Sequence, residues 1–324
     1  MQLMKIYSDS PLSYSAEALL VSGIAPHRVV FAAKTSESVL SHAAADSRFA
    51  GVDIAFGQPD VAAVLQSEQL RWIQLTSAGY TRYDTAEFRA AVKARDVVVT
   101  NSSGVYAAPC AEHILAFMLA QSRRLPLALS TRCANGSPEW TGIRYTAASL
   151  HNQKVVLLGF GAIAARLLEL LRPFQMQIVA FRRRARSDEG VPVVALEGLG
   201  KALGEADHVI NILPDNAETI GFVSAERLAQ MKPGAIFYNI GRGTTVDQSA
   251  LVTALDSGRL GAAWLDVTDP EPLPDGHPLL SAPNCFITPH TGGGHCNESE
   301  SLVRHFLENF RRFQDGSPLC DRIM

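Results

Sequence analysis

Short apolar runs alternate with helix-patterned segments along the whole chain. This predicts an α/β protein made of two doubly wound domains, each a parallel sheet covered by helices. Three observations carry that expectation. In the N-terminal third, the strand-like runs LMKIYS, RVVFAA, RWIQLT and VVVTN are punctuated by helical SAEALLVSG and PDVAAVLQSEQL. From Lys154 onward a second series follows: VVLL, QIVAF, DHVINIL, AIFYNI, AAWLDV and CFIT, with AARLLELLRPF, SAERLAQM and DQSALVTALDSG between strands. The second series opens with GFGAIA directly after its first strand, which is the turn a dinucleotide-binding sheet places at its first crossover.

The remaining elements follow in order. APCAEHILAFMLAQSRRL reads as a long helix leaving the first domain, with Pro109 in its first turn, where a missing N–H costs nothing. ANGSPEWTGIRYTA lacks a clear period and reads as a loop, with Trp140 as packing. Ser224 is the N-cap candidate for SAERLAQM. The tail NESESLVRHFLENFRRF is amphipathic, with Leu302, Phe306 and Phe310 on one stripe and Arg304, Arg311 and Arg312 off it.

The chain has 324 residues, 47% hydrophobic and 19% charged, with net charge −3. That bounds a globular protein with a large core and gives no electrostatic reason to expect nucleic acid or an anionic membrane as partner. MQLMKIYSDSPLS has no apolar signal-peptide core, and no run reads as long enough to span a bilayer, so a cytoplasmic protein is expected. Five widely spaced cysteines without a CxxC pair imply reduced thiols. His295-Cys296 lacks the further spaced ligands a metal site needs, so no metal is expected.

Two groups of residues carry chemistry. Gly159, Gly161 and Ala164 form G-x-G-x-x-A between a strand and a helix. The first glycine permits the tight turn, the second lets backbone approach a pyrophosphate, and the small third residue packs helix on strand. The next strand, QIVAF, ends not in the acid that would accept a ribose 2′-hydroxyl but in Arg182, Arg183, Arg184 and Arg186. Guanidinium groups bind a 2′-phosphate where an acid would repel it, so NADP(H) is expected over NAD(H). The second group is Arg242 after AIFYNI, Glu271 after GAAWLDV, and His290 after NCFIT. Ligands of open α/β sheets lie beyond the carboxyl ends of strands. Three such ends would bring together a fixed cation for a carboxylate, an imidazole that moves a proton near neutral pH, and a carboxylate to orient it.

With those motifs in view the chain resembles the D-isomer-specific 2-hydroxyacid dehydrogenases, and within them the glyoxylate/hydroxypyruvate reductases. The likeness runs nearly end to end through TSAGYTRYD, VVVTNSSGVY, AEHILAFMLAQSRRLP, VVLLGFGAIA, LPDNAETIGFVSAERLAQMKPGAIFYNIGRGTTVD, LDVTDPEPLP and TPHTGG. The resemblance implies a flavodoxin-like substrate domain from residues 1–100 plus 291–324, a Rossmann domain at 101–290, and a cleft between them. It implies a homodimer joined through the nucleotide domains, with Trp140 a candidate to reach the neighbouring subunit's substrate pocket. Carried over by position, Arg242 would hold the substrate carboxylate and 2-oxo oxygen, His290 would deliver the proton, and Glu271 would orient His290. The backbone of Ala78 and Gly79 would grip the carboxylate. Ala162, Ile163, Leu213 and Pro214 would line the cofactor, and Asp266 would bind the nicotinamide carboxamide. The implied reaction is NADPH-dependent reduction of a small 2-oxo acid. The same fold also serves as a nucleotide-sensing corepressor, the alternative reading, and formate- or phosphite-type oxidation is a third.

Overall fold

The computed structural model describes residues 3–35, 45–183 and 189–324. The chain divides into two compact units: Met1–Tyr106 with Gly294–Met324, and Ala107–Gly293. The division after Tyr106 falls inside a helix, so a continuous backbone passes from one unit to the next.

The first unit holds β1 (Lys5–Ser8), α1 (Tyr14–Gly23), β2 (Arg28–Phe31), β3 (Ile54–Gly57), α2 (Val61–Gln66), β4 (Trp72–Leu75), α3 (Ala86–Ala94) and β5 (Val98–Thr100), followed by the start of α4 (Ser103–Ser122). Its five strands are parallel in the order β2-β1-β3-β4-β5, the flavodoxin-like order. Strand alternation separates two cores. Ile6, Ile54, Phe56 and Trp72 face α1 and the C-terminal helix, whereas Tyr7, Ala55, Ile73 and Leu75 face Val64, Phe88 and Val92 of α2 and α3. β3 escapes the sequence reading: IAFG holds a run of only three apolar residues, between Asp53 and Gly57. α3 is likewise a helix the pattern did not flag.

The second unit holds the rest of α4, then α5 (Leu125–Thr131), α6 (Pro138–Thr146), β6 (Lys154–Leu158), α7 (Ala162–Leu171), β7 (Gln177–Phe181), β8 (Val193–Val194), α8 (Leu196–Glu205), β9 (His208–Asn211), α9 (Ala225–Gln230), β10 (Ala235–Asn239), α10 (Gln248–Asp256), β11 (Leu260–Leu265) and β12 (Cys285–Ile287). The sheet is parallel in the order β12-β11-β10-β9-β6-β7-β8, seven strands where six were expected. The order reverses between β6 and β9, which puts the glycine turn after β6 at the switch point where such sheets bind dinucleotides. Ser224 caps α9 as expected, its hydroxyl accepting the Arg227 N–H at 3.4 Å.

Three further expectations are corrected. Pro109 lies inside α4, not in its first turn, because the helix starts at Ser103. The Val105 carbonyl loses its usual i+4 donor there. The segment read as a loop around Trp140 is helical: Ser137 accepts the Trp140 N–H at 3.2 Å and Pro138 sits where a helix tolerates it. By length and composition α4 is apolar enough to cross a bilayer, against the expectation that no run is. In this fold Ala111, Ile114 and Met118 are fully buried in protein.

α11 (Glu298–Gln314) returns to the first unit. Its Phe306 stacks on Trp72 at 5.1 Å and against Phe56 at 4.6 Å, so truncating it to alanine costs about 3–5 kcal/mol. The segment after it closes the sheet edge: the Val99 N–H donates to the Met324 carbonyl and the Ile323 N–H to the Val99 carbonyl.

His208, at the start of β9, is 3% exposed. Its Nδ1 lies 3.0 Å from the Tyr238 hydroxyl and its Nε2 2.5 Å from the Gln153 amide oxygen. The oxygen can only accept, so Nε2 donates and Nδ1 accepts, a neutral imidazole with both nitrogens paired. Burial pushes its pKa down from 6.5 to about 4. The unfolded chain therefore binds this proton more readily between those values, and the contribution to stability is lost as pH falls through that window. We expect the urea midpoint of the second unit to drop between pH 6.5 and 4, by on the order of 3 kcal/mol in stability. The drop is smaller in His208→Gln, which has no proton to gain.

Candidate functional site

The cofactor cradle is built where β6, β7, β9 and β10 end. Gly159 follows β6 with φ +99°, a conformation side chains rarely adopt, and a Cβ there would lie 3.1 Å from the Ile212 carbonyl oxygen beyond β9. Gly161 caps α7 without any side-chain hydrogen bond, and nothing lies within 4 Å of where its Cβ would stand. The first turn of α7, Ala162 and Ile163, therefore presents backbone N–H groups and the positive helix end to open space, which fits a pyrophosphate. Ala164 is fully buried, as the small third position requires. Leu213 and Pro214 follow β9, and a Cβ at Gly241 would fall 2.6 Å from the Leu213 carbonyl, so the turns after β9 and β10 touch through backbone. These residues fit a nicotinamide dinucleotide.

The basic turn after β7 is more engaged than its composition implies. Arg182 Nη1 lies 3.2 Å from Glu189, a carboxylate that is 6% exposed. Arg183 pairs with Glu218, both largely exposed. Arg184 and Arg186 lie outside the described residues. Glu189 is thus an acid beside this turn that the strand-end reading passed over, because it comes seven positions after the arginine it meets.

Arg242 sits in a turn fastened by side chains. Its carbonyl accepts from Asn239 Nδ2 at 3.1 Å and Thr245 Oγ1 at 2.6 Å, and Asn211 Nδ2 donates to both Asn239 Oδ1 (2.9 Å) and Thr245 Oγ1 (2.7 Å). A Cβ at Gly243 would stand 2.0 Å from the Thr268 carbonyl carbon, so this turn presses on the loop after β11 with no room for a side chain. The guanidinium donates one bond to the Gly241 carbonyl at 2.7 Å and stays half-exposed.

The loops after β11 and β12 meet in a single knot. Asp266 is 2% exposed. Its Oδ1 accepts from Thr288 Oγ1 (2.6 Å) and the Thr291 N–H (2.9 Å), its Oδ2 from the Gly292 N–H (2.9 Å), and its carbonyl from the His290 N–H (2.9 Å). His290 is held at φ +52°, a left-handed conformation that costs a non-glycine residue about 1–3 kcal/mol and persists only where the surroundings impose it. The ring is thereby aimed at Glu271, whose Oε1 lies 2.5 Å from Nδ1. Among the described residues Nε2 has no hydrogen-bond partner, and the side chain is 33% exposed. An imidazole oriented through one nitrogen and open at the other can pass a proton to a neighbouring oxygen. The Cys110 thiol of α4 lies among these charges. Burial pushes it up to about 12, with Asp266 raising it further and Arg242 lowering it.

Ala78 and Gly79 belong to the first unit, in the turn after β4. Asn101 Nδ2 donates to the Ala78 carbonyl (2.7 Å) and Ser77 Oγ to the Gly79 carbonyl (2.5 Å). With the carbonyls engaged, and no partner for the two N–H groups among the described residues, the turn offers donors to an anion. Asp9 lies at the β1–β3 switch point of the same sheet. Burial pushes its carboxyl up to about 6, against the Gln58 N–H it accepts at 2.7 Å.

Residues 115–292 match the family model described as the D-isomer specific 2-hydroxyacid dehydrogenase, NAD binding domain. The chain belongs to this family. It is similar to the glyoxylate/hydroxypyruvate reductase B of Escherichia fergusonii, 34% identical over 262 residues that cover 79% of this chain and 78% of the relative. Among solved structures it is similar to a D-isomer specific 2-hydroxyacid dehydrogenase family protein from Aeromonas salmonicida, with 28% identity, 100% and 99% of the two chains covered and TM-score 0.76. A D-isomer specific 2-hydroxyacid dehydrogenase from Xanthobacter autotrophicus Py2, solved with NADPH and MES, matches at 25% identity, 100% and 98% coverage and TM-score 0.80. The protein is thus an NAD(P)-dependent oxidoreductase acting on 2-hydroxy acids.

The dehydrogenase brings Arg242, Asp266, Glu271 and His290 to the carboxyl edge of one sheet, and Gly159, Gly161, Leu213 and Pro214 to the same edge. Asp266 has a structural part besides the role expected of it. Three of its acceptor directions are spent inside the protein, so it shapes the His290 loop whatever it does for the cofactor. Sequence reading missed Thr288 and His113, which join this knot. The available signal was a lone histidine in an apolar helix, which marks a packed residue more often than a functional one.

Proposed function

We propose that this dehydrogenase reduces a small 2-oxo acid, of the size of glyoxylate or hydroxypyruvate, to the D-2-hydroxy acid with NADPH. The observation that carries the reading is the His290–Glu271 pair: a 2.5 Å bond through Nδ1 leaves Nε2 open for a substrate oxygen. When bound, the reduced nicotinamide supplies the hydride to carbon 2. The protein's part is orientation, charge and a proton. Arg242 provides a planar cation for the substrate carboxylate and oxo oxygen. His290 gives its Nε2 proton to that oxygen, and Glu271 balances the charge of the protonated ring and prevents its rotation. Asp266 Oδ2 keeps one lone pair for the nicotinamide carboxamide. Relatives named as glyoxylate/hydroxypyruvate reductases support the substrate size.

The preference for NADPH rests on the arginines after β7. Arg183 is 69% exposed and its ion pair with Glu218 is a surface pair, worth about 0–1 kcal/mol, so a 2′-phosphate outcompetes it. The NADPH-bound relative supports the same reading. A homodimer is part of the proposal. α5 and α6 contain no buried residues yet expose Leu129 and Tyr145 at 77% each, with Leu125 and Leu127 beside them, an apolar surface that a second copy would cover.

Three outcomes are expected. His290→Ala lowers kcat by roughly 10²–10⁴ while NADPH binding, read by fluorescence titration, persists; turnover near the wild-type rate would remove His290 from the reaction. In assays against a panel of 2-oxo acids, KM for NADPH lies well below that for NADH, and Arg183→Ala raises it roughly tenfold. Equal cofactor preference would defeat the arginine argument, and no turnover with any 2-oxo acid would favour a nucleotide sensor. Light scattering should give twice the chain mass, falling to one chain mass in Leu129→Glu.

A further inference from the structure

We propose that His113 is a positioning residue for the acid–base group, acting through Thr288 and Asp266. The proposal rests on the reading of His290 above. His113 Nε2 lies 3.2 Å from Thr288 Oγ1 and 3.6 Å from Asp266 Oδ1. The direction of the chain is fixed by elimination. The Asp266 carboxylate can only accept, so the single Thr288 hydroxyl proton points to Oδ1 at 2.6 Å. The Thr288 oxygen must then accept from His113, which places the proton on Nε2. An imidazole N–H thus orients a hydroxyl, which orients a buried carboxylate.

That carboxylate controls the segment bearing His290. Asp266 takes the N–H groups of residues 290, 291 and 292 on its carbonyl, Oδ1 and Oδ2. The approach is so close that a Cβ at Gly292 would stand 2.7 Å from Oδ2. A shift of Asp266 is therefore a shift of three consecutive amides and of the left-handed residue they hold.

His113 is itself braced. Its ring meets Phe117 edge-on at 4.3 Å, Phe117 lies 4.9 Å from Trp264, and Trp264 stacks on Phe286 at 4.3 Å. Trp264 Nε1 donates back to Gln121 on the helix at 2.9 Å. Trp264 and Phe286 belong to β11 and β12, the strands that lead into Asp266 and Thr288. α4 is thus indexed against the very strands whose ends it adjusts.

The test compares steady-state kinetics of the full-length His113→Ala, His113→Gln, Thr288→Val and His113→Ala/Thr288→Val proteins with wild type and His290→Ala. A misplacement of the proton donor by about an ångström costs up to roughly a hundredfold in rate. We expect His113→Ala to lower kcat ten- to a hundredfold with KM for the oxo acid and for NADPH changed less than threefold. His113→Gln, which returns an N–H near the Nε2 position, should recover most of the loss. Thr288→Val should match His113→Ala, and the double variant should be no worse than either alone. Equal kcat in the Ala and Gln variants, additive losses, or a kcat for His113→Ala within twofold of wild type overturns the proposal. If His113→Ala does not fold, the Gln and Val variants decide: normal kcat in Thr288→Val is then the contrary result. Normal turnover in His290→Ala refutes the underlying reading separately.

Discussion

The buried carboxylate of Asp266 is the constraint on which the rest of the site depends. A carboxylate at 2% exposure is tolerable only when it is well hydrogen-bonded, and here a hydroxyl and two backbone amides take three of its acceptor directions while the adjacent carbonyl takes a third amide. The energy that would be lost by leaving those groups unpaired outweighs the strain of a histidine at φ +52°, so the loop after β12 has one conformation and the His290 ring one direction. Glu271 then needs only to meet a ring already aimed.

The same edge of the sheet is crowded through backbone at Gly159, Gly241 and Gly243 and through the Asp266 carboxylate at Gly292. Gly159, Gly241, Gly243 and Gly292 each sit where a Cβ would approach a neighbouring residue within 2.0–3.1 Å. These contacts draw the turns after β6, β9, β10, β11 and β12 together, and close packing of backbone carries their positions rigidly. Gly161 is the exception: it has open space before it, and that is where α7 turns its unsatisfied N–H groups outward. One glycine pattern therefore serves two purposes, tight assembly of the loops that carry Arg242, Glu271 and His290 and an open helix N-terminus after β6.

Legibility from sequence varied with the kind of signal. The glycine turn, Arg242, Glu271 and His290 stand at the ends of long apolar runs, so position along the chain was enough to find them. β3 and β8, of four and two residues, carry no period and were not marked, unlike β1, β2 and β4, which lie in longer apolar runs. α6 was missed because its capping serine and Pro138 resemble loop composition until the hydrogen bonds are seen. Pro109 resembles a helix start in the sequence, but α4 begins at Ser103, where no proline marks it. The sequence shows Arg182 and Arg183 as cations after β7; the carboxylates of Glu189 and Glu218 reach these two from outside the local window.

By itself the sequence determined the class of sheet, the position of the switch-point glycines and the strand-end placement of Arg242, Glu271 and His290, because each depends on local pattern and chain order. Tertiary structure alone decided which nitrogen of His290 is occupied, that three acceptor directions of Asp266 are taken by the loop it organises, and that His113 and Thr288 join it. Those facts depend on hydrogen bonds between residues from α4, the β11 end and the β12 end, far apart in the chain. Their geometry is set by how the strands register and how the helix is indexed against them, and no local period encodes that.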